Sequence, residues 1–227
     1  MAVTFDNASS AFSSAVTNMS WTHTATGANI LAAIGIGYRG NAGAAAFSAV
    51  AYGGVAMTNK SKTVNNNGGA SDISLAVYAL ANAAAGNKVI SVAATLSDAY
   101  DTIGVTYTGT TKASNGGAAS VFTAAAGTTP FNLSVSTQAS QVVLGFASDV
   151  NNFGVENSTG QTRRAWIIDD GAGVYVLCSE KASGGSTTSF SWSASAGQTS
   201  RWVGSGFGFS GTAALLLGQL MLLGVGM

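Results

Sequence analysis

"SWTHTATGANILAAIGI", residues 20–36, decides how this chain is read. Its first half alternates. Trp21, His23 and Ala25 fall on one side of an extended chain, and Thr22, Thr24 and Thr26 on the other. Side chains two residues apart share a face of a β-strand, so this stretch reads as a strand with one packed side and one wet side. Thr26-Gly27-Ala28-Asn29 has the residues of a turn, and the apolar run from Ile30 to Ile36 reads as a second strand.

The same order returns later. In "LSVSTQASQVVLGFA", residues 133–147, an alternating Ser/Thr strand again passes through a polar turn into an apolar strand; Val142 stands where Ile30 does, 112 residues on. A second pair of segments, 74–110 and 173–212, shares the order strand, Ala/Gly-rich turn, strand, polar loop, strand. That pair is offset by about 100 residues, with the extra length of the first half lying around "YGGVAMTNKSKTVNNNGG". Two related units of four to five strands are expected, near 15–112 and 128–211. Further strands are expected near 49–58, 72–80, 87–96, 102–109, 118–123, 131–137, 141–148, 163–169, 173–181, 187–194 and 201–210. Ala-rich 76–85 has helical propensity, but its place in the repeat makes its first half a strand.

Short strands separated by Gly, Asn and Ser turns define an all-β chain. The expected fold is a jelly-roll-like β-sandwich built from two related Greek-key-like units. Two small sandwiches in sequence are the other arrangement that suits the repeat. Residues 1–14 are expected to form an N-terminal extension, 15–211 the sandwich, and 212–227 an apolar C-terminal arm.

Composition narrows the partners. Charged residues make up 8% of the chain, against a usual ~25%, and the net charge is zero, so no basic surface for nucleic acid or anionic lipid is expected. The surface must be solvated by hydroxyls and amides, and few charges resist close subunit packing. One cysteine, Cys178, rules out an intrachain disulfide. The first twelve residues lack the basic and apolar regions of a secretory signal, so synthesis in the cytoplasm is expected.

Groups able to do chemistry are few. His23 is the only histidine and reads as a strand residue beside Trp21. No serine lies in a G-x-S-x-G elbow, so no triad is expected. Cys178 lies mid-strand and reads as a small buried residue. Asp98 and Asp101 flank an expected loop, and Asp169 and Asp170 an expected turn, without the aromatic and basic neighbours of a glycosidase pair. The stretch from Asp149 through Asn151, Asn152 and Glu156 to Asn157 is rich in oxygen ligands, but its spacing fits no EF-hand, so Asx-turn chemistry is the expectation over calcium. "GIGYRG" and "GSGFGFSG" lack the following helix of a phosphate loop. Arg163 and Arg164 read as a solvated strand end, and Trp192 and Trp202 as packing residues. No catalytic residue, cofactor or metal ligand is expected.

"VTFDNASSA", "WTHTATGAN" with its following apolar strand, "YGGVAMT", and W-x-G-x-G-F-x-F-S-G from Trp202 together cover most of residues 2–211. They resemble a class of Gly/Ala/Ser/Thr-rich β-sandwich proteins of tailed phages. The resemblance implies a virion structural component: a capsid decoration (cement) protein, or a head, tail or fibre module. The chain lacks the heptads or long β-helical periods of a fibre shaft, which favours decoration. The implied partners are further copies of itself, as a homotrimer, and the major capsid protein or another virion protein. The implied location is the virion, assembled in the host cytoplasm. A receptor- or carbohydrate-binding module of a tail is the alternative.

The arm, "TAALLLGQLMLLGVGM", holds six leucines and no charge. It is shorter than the ~20 residues of a bilayer span, no Lys or Arg follows it, and three glycines interrupt it. A membrane role is therefore not expected. Leu215, Leu216, Leu217, Leu220, Met221, Leu222 and Leu223 are expected to contact a neighbouring subunit or partner.

Overall fold

The computed structural model describes residues 2–39, 47–65, 72–111, 119–124, 130–149, 153–156, 159–168, 174–194 and 202–211. These residues form fifteen strands and no helix, and every pairing is antiparallel. The expected all-β sandwich is the architecture the chain adopts.

The first half supplies β1 (Thr4–Ala25), β2 (Ile30–Arg39), β3 (Phe47–Tyr52), β4 (Val55–Ala56), β5 (Thr58–Asn65), β6 (Ile73–Ala83) and β7 (Gly86–Thr108). The hairpin read from residues 20–36 is present: Trp21, His23 and Ala25 face inward, and Asn29 closes the turn with φ of 53°. The seven strands form one sheet in the order β4-β3-β7-β2-β6-β5, with β1 paired to β7. β1 and β7 are long enough to serve two layers. Register shifts between Ser13 and Asn18 mark the place where the β1–β7 ribbon passes from one layer to the other. The sheet therefore closes on its own core of Met19, Ile30, Ile34, Ile36, Tyr52, Ile90 and Tyr100.

The second half supplies β8 (Ser120–Ala124), β9 (Phe131–Ser136), β10 (Val142–Asp149), β11 (Phe153–Glu156), β12 (Thr162–Ile168), β13 (Tyr175–Ala182), β14 (Thr187–Ala194) and β15 (Trp202–Phe209). Its sheets run β12-β13-β10-β15-β8 and β11-β14-β9. Between them lies a core built on Phe131, Leu133, Val143, Leu177, Phe190, Trp192 and Trp202. Phe131 stacks on Trp192 and Trp202 with centroids 5.7 and 5.3 Å away.

The two halves have the same strand order. If the N-terminal part of β1 is matched to β8 and its C-terminal part to β9, then β5-β6-β2-β7-β1 becomes β12-β13-β10-β15-β8, and β3-β7-β1 becomes β11-β14-β9. One detail differs from the sequence comparison. Ile30 and Val143 face their own unit's core, so the apolar strands correspond at an odd step, whereas 112 residues would reverse their faces.

A third core joins the units. Leu31, Ala33, Leu75, Val77, Val105 and Tyr107 meet Leu144, Phe146, Val176, Cys178, Val203 and Phe207. β2 and β15 are accordingly buried on both faces. Gly35 and Gly37 allow the close approach. A Cβ at Gly35 would lie 2.5 Å from Phe146 Cδ1, and one at Gly37 would lie 2.3 Å from Val176 Cγ2. Strands cross this seam in matched pairs: β12 packs on β1 and β7 as β5 packs on β8 and β15, β13 on β2 and β7 as β6 on β10 and β15, and β2 meets β10. The seam thus has the pattern of a two-fold, self-complementary interface within one chain.

Several elements differ from the sequence expectation. Residues 4–13 are not an extension: they pair with residues 100–108 along β1. The spacing hid this because Asn7 sits at a register shift that breaks the alternation. β7 runs unbroken through the loop expected at 97–101, and Asp101 lies buried within it. The strand expected over 49–58 turns at Gly53-Gly54 into β4, and β5 and β11 were not anticipated.

Candidate functional site

His23 stands at the centre of a polar network inside the first unit. The side chain is 1% exposed. Its Nδ1 lies 2.7 Å from Ser9 Oγ and its Nε2 lies 3.0 Å from Thr106 Oγ1. Trp21 Nε1 donates to Ser9 Oγ at 2.8 Å, and Thr106 Oγ1 donates to Asp6 Oδ2 at 2.9 Å. Asp6 also accepts from the Thr26 amide at 2.9 Å and from the Thr26 hydroxyl.

These contacts fix the tautomer. A carboxylate only accepts, so the single Thr106 proton goes to Asp6. His23 Nε2 must then carry hydrogen and donate to Thr106, which leaves Nδ1 as the acceptor of the Ser9 proton. The chain of donors runs Trp21, Ser9, His23, Thr106, Asp6, and every member is satisfied. Burial lowers the His23 pKa, and the Asp6 charge opposes that shift without reversing it. The imidazole is therefore neutral near pH 7.

Ser9 donating to a histidine has the composition of a nucleophile and its base. The geometry also gives it a structural task. Ser9 Oγ is half-buried, donates to His23 and accepts from Trp21, and a Cβ built on Gly104 would lie 3.6 Å from it. The network ties the start of β1 to its end and to β7. Ser9, Thr106 and Asp6 stand 14, 83 and 100 residues from their partners, so sequence spacing could not reveal them.

A second cluster lies at the seam between the units. Tyr107 Oη donates to Glu180 Oε2 at 2.6 Å, and Arg164 pairs with Glu180 Oε1. The Arg164 guanidinium lies 4.7 Å from the Phe5 ring centre. Arg164 is therefore not a solvated strand end. A register shift in β12 between Arg163 and Ala165 separates it from Arg163 and brings it to Phe5 and Glu180. Burial, with the neighbouring Cys178 and Glu180, pushes the Tyr107 hydroxyl far above its usual pKa. Burial also pushes up the Cys178 thiol, and Cys178 is fully enclosed in the seam.

Other features of the described residues lie at the surface. Trp166 on β12 is 49% exposed, with the Arg163 guanidinium 5.1 Å from its ring centre. An open groove runs beside Val3, Ser140, Gln141, Val142, Ser183 and Gly211. Gly211, the last described residue, lies at this groove and bridges to Thr110.

The remaining expected residues are placed as follows. Trp192 and Trp202 are buried packing residues. Asp149 is buried at the end of β10, whereas Asn151, Asn152 and Asn157 lie outside the described residues, as do Asp169 and Asp170. Asp98 and Glu156 lie on strands β7 and β11. Among the described residues no three His, Cys, Asp or Glu side chains come together as metal ligands, and no helix is long and apolar enough to cross a membrane. Leu215, Leu216, Leu217, Leu220, Met221, Leu222 and Leu223 all lie outside the described residues. No family model matches the chain, and neither a curated protein nor a solved structure is significantly similar to it.

Proposed function

We propose that this chain is a virion structural protein of a tailed phage, a decoration or cement protein that binds the capsid lattice as a small homo-oligomer. The observation that carries the reading is the open groove at Gly211, the residue that the sequence follows with a run of six leucines and no charge. Such a run needs an apolar surface to cover it. A body with few charges sets little desolvation penalty against close packing on a lattice. The sequence resemblance supports the same reading, as do two tandem sandwiches whose polar chemistry is taken up by packing. In this role Leu215, Leu216, Leu217, Leu220, Met221, Leu222 and Leu223 contact a neighbouring subunit or the major capsid protein. Electron microscopy and mass spectrometry of purified particles test it. The expected result is the protein in stoichiometric amounts on the particle, and its absence from particles overturns the reading.

Exposed Trp166 beside Arg163 favours a second reading, a carbohydrate-binding module of a tail. A glycan array with the intact protein separates the two. Saturable binding that Trp166→Ala removes supports the module, and an array blank at high protein concentration eliminates it.

A further inference from the structure

β1 is an edge strand along its whole length, pairing among the described strands only with β7. An open edge presents unpaired amides and carbonyls to any chain that fits. The other edges are short or charged. β5 carries Lys60 and Lys62, β12 carries Arg163 and Arg164, and β11 carries Glu156. β4 has two residues and β8 five, and β9 follows Pro130 and has its last amide, Ser136 N, hydrogen-bonded by Ser120 Oγ. β1 has 22 residues, and from Asn7 to Ala25 it contains no charge and no proline. Asn7 caps its outer edge at the Thr24 carbonyl, and Asp6 holds the Thr26 amide just beyond. That protection joins the two ends of β1 to each other, and Phe12 between them is exposed.

The middle of the strand is close to self-complementary. Phe12 is 60% exposed, more than any other large apolar side chain described. On either side of it stand Ala11 and Ser13, short of the register shift that follows Ser13. In an antiparallel pair centred on Phe12, Ala11 would face Ser13 of the other copy and the two rings would meet as a cross-strand aromatic pair. A two-fold contact needs the same patch on both partners, and this one is neutral on both sides.

We infer that β1 pairs with β1 of a second copy of this chain, antiparallel and centred on Phe12. The contact extends the sheet across a two-fold axis and covers both Phe12 rings. It makes the dimer the unit of assembly, where the sequence pointed to a trimer, and it stands whether or not the protein belongs to a virion.

The test uses the full chain. Analytical ultracentrifugation of wild-type protein is expected to give a dimer, and Phe12→Lys half that mass, with circular dichroism confirming that the variant remains folded. Phe12→Cys in a Cys178→Ala background is expected to form a disulfide-linked dimer under mild oxidation, which reads the same contact without a charge. A monomeric wild type overturns the inference, as does a Phe12→Cys chain that fails to cross-link. If the dimer survives Phe12→Lys but is lost on removal of residues 212–227, the arm is the contact and β1 is not.

Discussion

His23 shows how one residue can be satisfied in only one protonation state. Both ring nitrogens are engaged, and the Nε2–H tautomer alone satisfies Ser9 and Thr106 together. Its folded pKa lies below the ordinary 6.5 because of burial. The unfolded chain therefore binds the proton more readily as the pH falls. The contribution of neutral His23 is complete above pH 6.5 and is lost as the pH drops through the folded value. Urea midpoints measured from pH 7.5 to 5 should fall across that window in the wild type and fall less in His23→Gln. Ser9→Ala leaves both Trp21 Nε1 and His23 Nδ1 without a partner and should cost about 1–3 kcal/mol. A second residue-scale case is Gly37, where a Cβ would meet Val176, Ser148 and Val174. Gly37→Ala should cost about 1–3 kcal/mol by overpacking, visible as a lower denaturant midpoint with unchanged slope. Cys178 should resist thiol reagents in the native protein and react once the chain is unfolded, since the thiolate is the reactive form and burial disfavours it.

At the scale of elements, β1 and β7 do what no short strand could. Each runs through two layers, so one ribbon closes the first unit, while β8, β9, β14 and β15 divide the same work in the second. β2, β6, β10 and β15 lie between two cores and carry nearly continuous buried runs. β3 and β4 form a hairpin at the margin with exposed Val55. Amide exchange should therefore be slowest in β2 and β10 and fastest in β3–β4, because opening the margin exposes little apolar surface. An order in which β3–β4 outlasts β2 would contradict the layering. These differences also explain which strands sequence patterns reveal. β9 alternates buried and exposed along its length and was readable. The first half of β1 was not, because its pairing slips at Asn7 and between Ser13 and Asn18, so no steady period marks it.

For the whole molecule, the seam between the units sets cooperativity. It is a third apolar core, and Phe146 fills the space above Gly35 at its centre. Phe146→Ala should cost about 3–5 kcal/mol. Calorimetry should show one unfolding transition, displaced as a whole by this substitution. Two separated transitions in the wild type would mean that the units unfold independently. The matched crossings of equivalent strands give the seam the symmetry of a homodimer held within one chain.

The sequence by itself determined the all-β class and the leading hairpin. Both rest on local alternation and turn chemistry, which survive in one dimension. It also read Cys178 as a small buried residue and Trp192 and Trp202 as packing residues, and all three are buried, whereas it left His23 as a strand residue that could be packed or edge-facing. Only the tertiary structure decided that 4–13 belongs to the sheet, that Arg164 serves the seam, and that Ser9, Thr106 and Asp6 complete the histidine's hydrogen bonds. Those outcomes depend on which strands become neighbours. Neighbours are chosen by the burial of whole faces against one another, and residues as far apart as Asp6 and Thr106 carry no local mark of meeting.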